Sequence, residues 1–221
     1  MNHAVIRVSG EELTLLPERA VWWSDKRTLF VADPHFGKAA TFRALGVPVP
    51  RGTTTGTLAR LDAIIGRHAP GRLIFLGDFL HAAEGRDPET LRVLNEWRRR
   101  HAGLEMILVR GNHDARAGDP PRQLELRCVT GPYADAPFML DHHPRRAEGA
   151  YVLCGHIHPA VTLTGIGRQH SRLPCFWFGK DIGVLPAFGE FTGVAEADVQ
   201  VGDQVFVVAD NAVIAVPVVE R

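Results

Sequence analysis

The chain of 221 residues is short of cysteine, of net charge and of long apolar runs, and each shortage removes a class of function. Its three cysteines, Cys128, Cys154 and Cys175, are odd in number and form no C-x-x-C pair. A disulfide framework is therefore not expected, and the chain reads as a reduced, cytoplasmic protein. Lysine plus arginine totals 25, as does aspartate plus glutamate, so the balance announces neither a nucleic-acid nor a membrane surface. No stretch approaches the roughly 18 apolar residues that a membrane helix needs. Met1-Asn2-His3-Ala4-Val5-Ile6-Arg7 holds no apolar run of signal-peptide length. No internal repeat or low-complexity segment occurs. Apolar residues make up 45% and charged residues 23%, which is ordinary globular composition. The length suits one sizeable core, and we expect a single domain over residues 1–221 without a linker.

What is present is a repeated local pattern, in which a short apolar run ends abruptly in polar side chains. Thr28-Leu29-Phe30-Val31-Ala32 runs into Asp33-Pro34-His35-Phe36-Gly37-Lys38. Leu73-Ile74-Phe75-Leu76 runs into Gly77-Asp78-Phe79-Leu80-His81. Met106 to Val109 leads to Gly111-Asn112-His113-Asp114, Phe138-Met139-Leu140 to Asp141-His142-His143, and Tyr151 to Cys154 to Gly155-His156-Ile157-His158. Continuous apolar runs of this length predict strands buried on both faces. Ala4 to Val8, Leu13 to Leu16 and Ala20 to Trp23 predict earlier strands, with a turn at Ser9-Gly10-Glu11-Glu12.

Helices are predicted at Ala39 to Leu45, from Thr53 through Ile65, and from an Asp87 cap with Pro88 at the first turn to Arg98-Arg99-Arg100. The last of these carries Leu91, Leu94 and Trp97 inward, and Gly46 to Gly52 is an extended loop. After Pro159 the composition turns to β, with Val161 to Leu163, Cys175 to Phe178, Gln204 to Ala209 and Val213 to Val219 as strands and Asp210-Asn211 as a hairpin turn. The fold class is α/β (α+β): two sheets packed face to face with helices outside.

A lone Asp or Asn at a strand end is more often a turn or cap than a ligand. Five such ends along one edge reverse that expectation, because about eight ligand-type side chains then converge. Carboxylate and amide oxygens with imidazole nitrogens suit borderline divalent ions, Mn, Fe, Zn, Ni or Co. No cysteine stands at these positions, which argues against a structural zinc site. Eight slots exceed one ion, so two ions sharing a carboxylate fit better. A pair about 3.5–4 Å apart serves phosphoryl displacement, and a histidine poised near pH 7 is the usual donor to the leaving alcohol.

In this order D-x-H, G-D, G-N-H-D, a later His and G-H-x-H resemble the calcineurin-like metallophosphoesterases over roughly residues 28–160. The resemblance implies a two-sheet β-sandwich flanked by helices. It implies that Asp33, His35 and His158 bind a first ion, that Asp78 bridges, and that Asn112, His142 and His156 bind a second. His142 is preferred to His143 because it directly follows its strand. The resemblance further implies attack by a metal-bound hydroxide, with His113 serving the leaving group. One departure stands out: the protein phosphatases of the superfamily continue G-D-x-x-D-R-G, whereas here Gly77-Asp78-Phe79-Leu80-His81 puts His81 where an Asp orients the catalytic His. A phosphoprotein substrate is not expected, and what orients His113 is open, as is whether His81 is itself a ligand.

A finer resemblance covers Asp33 to Lys38, Phe42-Arg43, Gly46 to Pro50, Gly52-Thr53 and the tail Leu185-Pro186-Ala187-Phe188-Gly189-Glu190-Phe191-Thr192-Gly193. These resemble a bacterial subgroup, the ligase-associated DNA damage response endonucleases. That implies a Mn²⁺-dependent phosphodiesterase acting on DNA in repair, with a DNA ligase and a helicase as partners. The alternatives are a small or cyclic nucleotide phosphodiesterase, or a non-catalytic metal-stabilised scaffold in a repair complex. Lys38, Arg43 and Arg116 are expected to bind substrate phosphates, and Arg168, Arg172 and Lys180 join them if the tail folds back. A neutral chain binds DNA weakly by itself, so affinity is expected from a partner or from a homodimer pooling basic surface. His3, His68, His101 and His170 are expected in solvent, the Arg98-Arg99-Arg100 charges at a helix C-terminus, and Trp22, Trp23, Trp97 and Trp177 in the core.

Overall fold

The apolar runs of the N-terminal half become one seven-stranded sheet. Its strands are β1 (Ala4–Val8), β2 (Glu11–Leu16), β3 (Ala20–Trp23), β4 (Thr28–Ala32), β5 (Arg72–Leu76), β6 (Glu105–Val109) and β7 (Arg127–Val129), paired in that order. The first three hairpin connections are antiparallel. From β4 onward the pairing is parallel, as connections carrying helices require. The helices are α1 (Lys38–Ala44), α2 (Thr53–His68), α3 (Pro88–Arg100) and a short α4 (Asn112–Ala117). The computed structural model describes residues 2–50, 52–165 and 170–218. Arg51, Arg168 and Val219, which belong to the expected loop, cation set and last strand, lie outside the described residues.

The C-terminal half builds the second, nine-stranded sheet from β8 (Tyr133–Asp135), β9 (Phe138–Leu140), β10 (Tyr151–Cys154), β11 (Pro159–Thr164), β12 (His170–Phe178), β13 (Ile182–Val184), β14 (Ala195–Glu196), β15 (Gln204–Ala209) and β16 (Ala212–Val216). Strands β9, β10 and β13 are mutually parallel, and β15 joins β12 beside the β16 hairpin.

Between the sheets lies the larger core, with Trp23, Phe30, Ile74, Ile107, Phe138, Leu153, Phe176 and Leu185 buried. Alternate residues of the same first-sheet strands, Leu29, Val31, Leu73, Phe75 and Leu108, turn the other way, against Leu58, Leu61 and Ile64 of α2 and Leu94 and Trp97 of α3. Each such side chain contributes about 1.5–3 kcal/mol on burial. This is why β4, β5 and β6 read as continuous apolar runs: both faces are covered.

Register places the strand ends together. Ala32 pairs with Leu76 and Leu76 with Val109, so the polar residues after β4, β5 and β6 leave one edge of the first sheet. In the second sheet Leu140 pairs with Leu153 and Cys154 with Val184. Phe188 N donates to Ala32 O at 2.8 Å just beyond β13, so the two polar edges adjoin.

Several surface expectations are corrected. Arg98 stands in the last turn of α3 as expected, but it is buried there: it donates to Leu124 O at 2.9 Å and pairs with Glu125 at 3.0 Å. His101 is half-buried with Nε2 2.6 Å from Asp62, and His68 lies half-buried against Trp22 at 5.2 Å between ring centroids. His68 ends α2 and His101 follows α3, and each is half-buried by a partner distant in sequence. Trp22 and Trp177 are half-buried, Trp177 because its Nε1 reaches Asp203 at 2.7 Å. Leu91 is likewise half-buried, and α2 is capped by Gly52 in a left-handed conformation. The strands β7, β8 and β13 are too short, at three residues each, to leave a pattern in the sequence.

Candidate metal centre

Asp33, His35 and Asp78 leave their strands with φ of 50°, 46° and 50°, and His156 and His158 with 70° and 52°. Left-handed backbone is uncommon outside glycine and costs of order 1–3 kcal/mol per residue. Five instances at one edge turn five side chains off the strand direction toward a common point. Room is made by glycine. A Cβ on Gly111 would strike the Asp78 carboxylate, and one on Gly155 would lie 2.5 Å from Asp33 Oδ2. The glycines of G-N-H-D and G-H-x-H thus permit close approach of backbone to carboxylate.

Two clusters result. In the first, Asp33, His35 and His158 bring one ligand atom each within 4.8 Å of the others. His35 Nε2 lies 3.4 Å from His158 Nε2, and His158 Nε2 lies 3.6 Å from Asp33 Oδ2. In the second, His142 Nε2 lies 3.0 Å from both Asn112 Oδ1 and His156 Nδ1. Asp78 stands between them, with Oδ1 3.4 Å from His142 Nε2 and Oδ2 3.8 Å from His35 Nε2. Asp33, Asp78 and His142 are all buried.

The tautomers are set from outside the clusters. His142 Nδ1 lies 3.1 Å from Leu76 O, and His158 Nδ1 lies 2.9 Å from Gly193 O. A carbonyl only accepts, so each Nδ1 carries the hydrogen and each Nε2 presents a lone pair inward. The inward Nε2 of His142 then faces the Asn112 carbonyl oxygen, acceptor against acceptor. Asp33 Oδ1 is buried without a hydrogen-bond partner. An imidazole lone pair set against an amide oxygen, beside an unpartnered carboxylate oxygen, fits a divalent cation, and the mixture of carboxylate, amide and imidazole fits Mn²⁺, Fe²⁺ or Zn²⁺.

Electrostatics point the same way. Burial lowers the basicity of His35 strongly, aided by His158 and Lys38, and brings His142 down to about 3. His156 and His158 are also lowered by burial. Neutral imidazole is the ligating form. Burial raises the carboxyls of Asp33 and Asp78, with Asp78 adding to the rise at Asp33. Two buried carboxylates facing each other lack a counter-charge of their own.

Asn112 and His113 open α4, so the two side chains diverge. The His113 ring stays 29% exposed, with Nε2 3.9 Å from Asp78 Oδ2. Its Nδ1 meets the His81 carbonyl oxygen at 2.5 Å, and its ring stacks on that of His81 at 5.0 Å and 21°. What orients His113 is therefore the residue that replaced the phosphatase Asp, acting through its backbone. Burial, with Lys38 next, lowers the His81 imidazole to about 4, and its Nδ1 lies 3.4 Å from His35 Nδ1, so His35, His81 and His113 also form a trio within reach of one ion. Asp114 is structural: it accepts from Gly111 N and Phe79 N, each at 2.9 Å, and burial raises its carboxyl to about 6.

His143 is half-buried with its ring 4.5 Å from that of His156, and it shares a third grouping with His142 and His156. Lys38, at the start of α1, lies close enough that its charge acts on His35, His81 and His158. Arg116 is exposed on α4, one turn after Asn112. Arg43 faces elsewhere, 3.4 Å from Pro50 O. Arg172 pairs with Glu196 at 3.5 Å, and Lys180 lines a cleft with Arg146 and Asp181. The carbonyls of Leu76, His81 and Gly193 had no signal in the sequence, since every residue type carries one.

The model of the calcineurin-like phosphoesterases matches residues 26–178. Among solved structures the chain is similar to the Pseudomonas putida nuclease MPE, with 41% identity and a TM-score of 0.86 over 97% of this chain and 100% of that one. It also aligns distantly with Yfce, a phosphoesterase from E. coli, at 16% identity and a TM-score of 0.42 over 85% and 96% of the two chains. No curated protein matches the sequence. A family model spanning both ligand clusters, and a close structural likeness along nearly the whole chain, place this metal-dependent hydrolase in the calcineurin-like phosphoesterase family.

Proposed function

We propose that the chain, acting as one domain over residues 1–221, is a two-metal phosphodiesterase that cleaves DNA, with Mn²⁺ as its working ion. The position of Asp78 carries the reading, because its two oxygens face opposite clusters at 3.4 and 3.8 Å. Asp33, His35 and His158 would hold one ion, Asn112, His142 and His156 the other, and Asp78 both. When bound, such a pair acidifies water and offsets the charge of a phosphodiester.

The protein's own part in the reaction follows from His113. With Nδ1–H committed to the His81 carbonyl, a protonated His113 can give up only its Nε2 hydrogen. The ring left behind is the neutral Nδ1–H tautomer, the one that the carbonyl stabilises. His113 thus serves as general acid to the departing sugar oxygen. Lys38, whose charge acts on the centre, and Arg116, exposed one turn after Asn112, would take substrate phosphates, whereas Arg43 would do so only if the Pro50 contact is given up.

DNA as substrate is supported by the likeness to a nuclease along the full chain. The subgroup resemblance adds a DNA ligase and a helicase as partners in repair, a cytoplasmic setting, and a homodimer as a source of further basic surface. No described helix is long and apolar enough to cross a membrane. The test is a substrate panel with Mn²⁺ and an EDTA control, comparing single-stranded, nicked and duplex DNA with small and cyclic nucleotides. Cleavage of DNA alone is expected. Turnover confined to small nucleotides refutes the nuclease reading, and metal binding without hydrolysis of any phosphodiester makes the protein a scaffold.

A further inference from the structure

The span from Gly189 to Ala195 bears no side chain of the two clusters, yet it is tied to their residues at both ends. Gly189 N donates to Asp33 O at 3.1 Å, His158 Nδ1 donates to Gly193 O at 2.9 Å, and Ala195 N donates to His158 O at 3.1 Å. Thr192 Oγ1 closes the bend on Gly189 O at 3.2 Å. Phe191 stands in the middle of this span. Its φ is 55°, and its side chain belongs to a residue 53% exposed. Folding alone gives no reason to hold a phenyl ring in water on left-handed backbone, because both the exposure and the conformation cost stability. Phe191 lines a small cleft with Pro34, His35, Lys38 and Glu190. An aromatic residue and a lysine therefore border the same cleft, and His35 of the metal centre forms part of its wall.

We propose that Phe191 is the residue that recognises a nucleobase: its ring stacks on the base adjoining the phosphate under attack, while Lys38 holds that nucleotide's phosphate. The inference rests on the DNA reading above and goes beyond it by assigning the contact that distinguishes a nucleotide strand from a bare phosphodiester. Stacking suits the site because every base has a π face, so recognition is independent of sequence. The ties at Gly189, Gly193 and Ala195 fix the ring relative to Asp33 and His158, which sets a fixed offset between the stacked base and the reacting phosphorus.

The test compares one oligonucleotide with the same strand made abasic around the cleavage position, in the Mn²⁺-loaded full chain. Phe191→Ala should lower the ratio of kcat/KM for the base-bearing over the abasic strand by about ten- to a hundredfold, the worth of one stacked base. Phe191→Leu should lower it similarly, and Phe191→Trp should restore it. An unchanged ratio in Phe191→Ala, or equal loss on both strands, overturns the stacking role and leaves a structural one. Failure of the wild-type protein to cleave either strand while it hydrolyses another phosphodiester sinks the DNA reading, and this inference with it.

Discussion

The two sheets contribute to the centre in different ways. The first supplies charge: Asp33 and Asp78 follow its parallel strands, and each carboxylate accepts a backbone N–H at 2.9 Å, from His156 and His113 respectively. The second supplies only neutral nitrogen, from His142, His156 and His158, beside His35 and Asn112 of the first. Of these, His142 and His158 are oriented by carbonyls that the second sheet's strands do not own, Leu76 at the end of β5 and Gly193 in the tail. The carboxylates are thus placed by the register of a parallel sheet, whereas the His142 and His158 rings depend on what packs behind them. The first kind of placement is stiff, and the second can be loosened from a distance.

The sharpest break in that comparison is at the shared carboxylate. Asp78→Asn keeps size and one acceptor but removes the charge between the clusters. Hydrolysis should fall on the order of 10⁴-fold or more, since each ion contributes several kcal/mol to the barrier, and metal content per chain should fall with it. Retention of both ions would show that the first sheet's charge is dispensable.

His113→Ala should cost about 10²–10³-fold in kcat on DNA with near-normal folding by circular dichroism. The loss should shrink on an aryl phosphodiester, whose leaving group needs no proton. Full activity on DNA would remove His113 from the chemistry.

Metal addition tests the charge stored in the first sheet. Burial raises the Asp33 and Asp78 carboxyls, so the metal-free fold retains protons that the unfolded chain releases. Below the ordinary carboxylate range both states are protonated and nothing is lost. As pH rises above it, the fold must ionise buried groups and stability falls. Mn²⁺ at about a hundred times its Kd should contribute about 2.7 kcal/mol, seen as a Tm higher by about 5–10 °C than in EDTA. At one fixed Mn²⁺ concentration that gain should increase as pH rises from the ordinary carboxylate range toward neutrality. A gain that shrinks over this interval would contradict the assignment of the two carboxylates.

The smallest effect tests the second sheet's dependence on its backing. Arg60 of α2 donates to Phe188 O, and its guanidinium lies 4.3 Å from the Phe188 ring centroid, which holds the tail that carries Gly193. Arg60→Leu should weaken Mn²⁺ binding about tenfold, as loss of an outer contact to a ligand does, with Phe191-dependent discrimination reduced in parallel. Binding at wild-type strength would show that Gly193 is held by its other contacts.

Much of this was legible in the chain itself. The strands before Asp33, Asp78 and Gly111 were readable because burial on both faces demands an unbroken apolar run. The Asp, Asn and His clusters were readable because nothing in a core explains them. The N-cap at Asp87 was also readable, and it accepts from Glu89 N at 3.1 Å and Thr90 N at 3.2 Å. His68 and His101 were misread as surface, since a polar residue on a helix reveals its burial only through partners distant in sequence.

By itself, then, the sequence determined the residue types at the strand ends, and with them the chemistry open to the protein: carboxylate, amide and imidazole in the order that resembles one family. It also determined the apolar runs that make the buried strands of the two sheets. Tertiary structure alone decided which nitrogen of His142 and His158 faces inward, that His81 steadies His113 through a carbonyl, and that Phe191 is held out beside His35. The reason is physical: side-chain identity is written in the chain, but backbone carbonyls are the same at every position, and only folding decides which of them is left to accept a hydrogen bond.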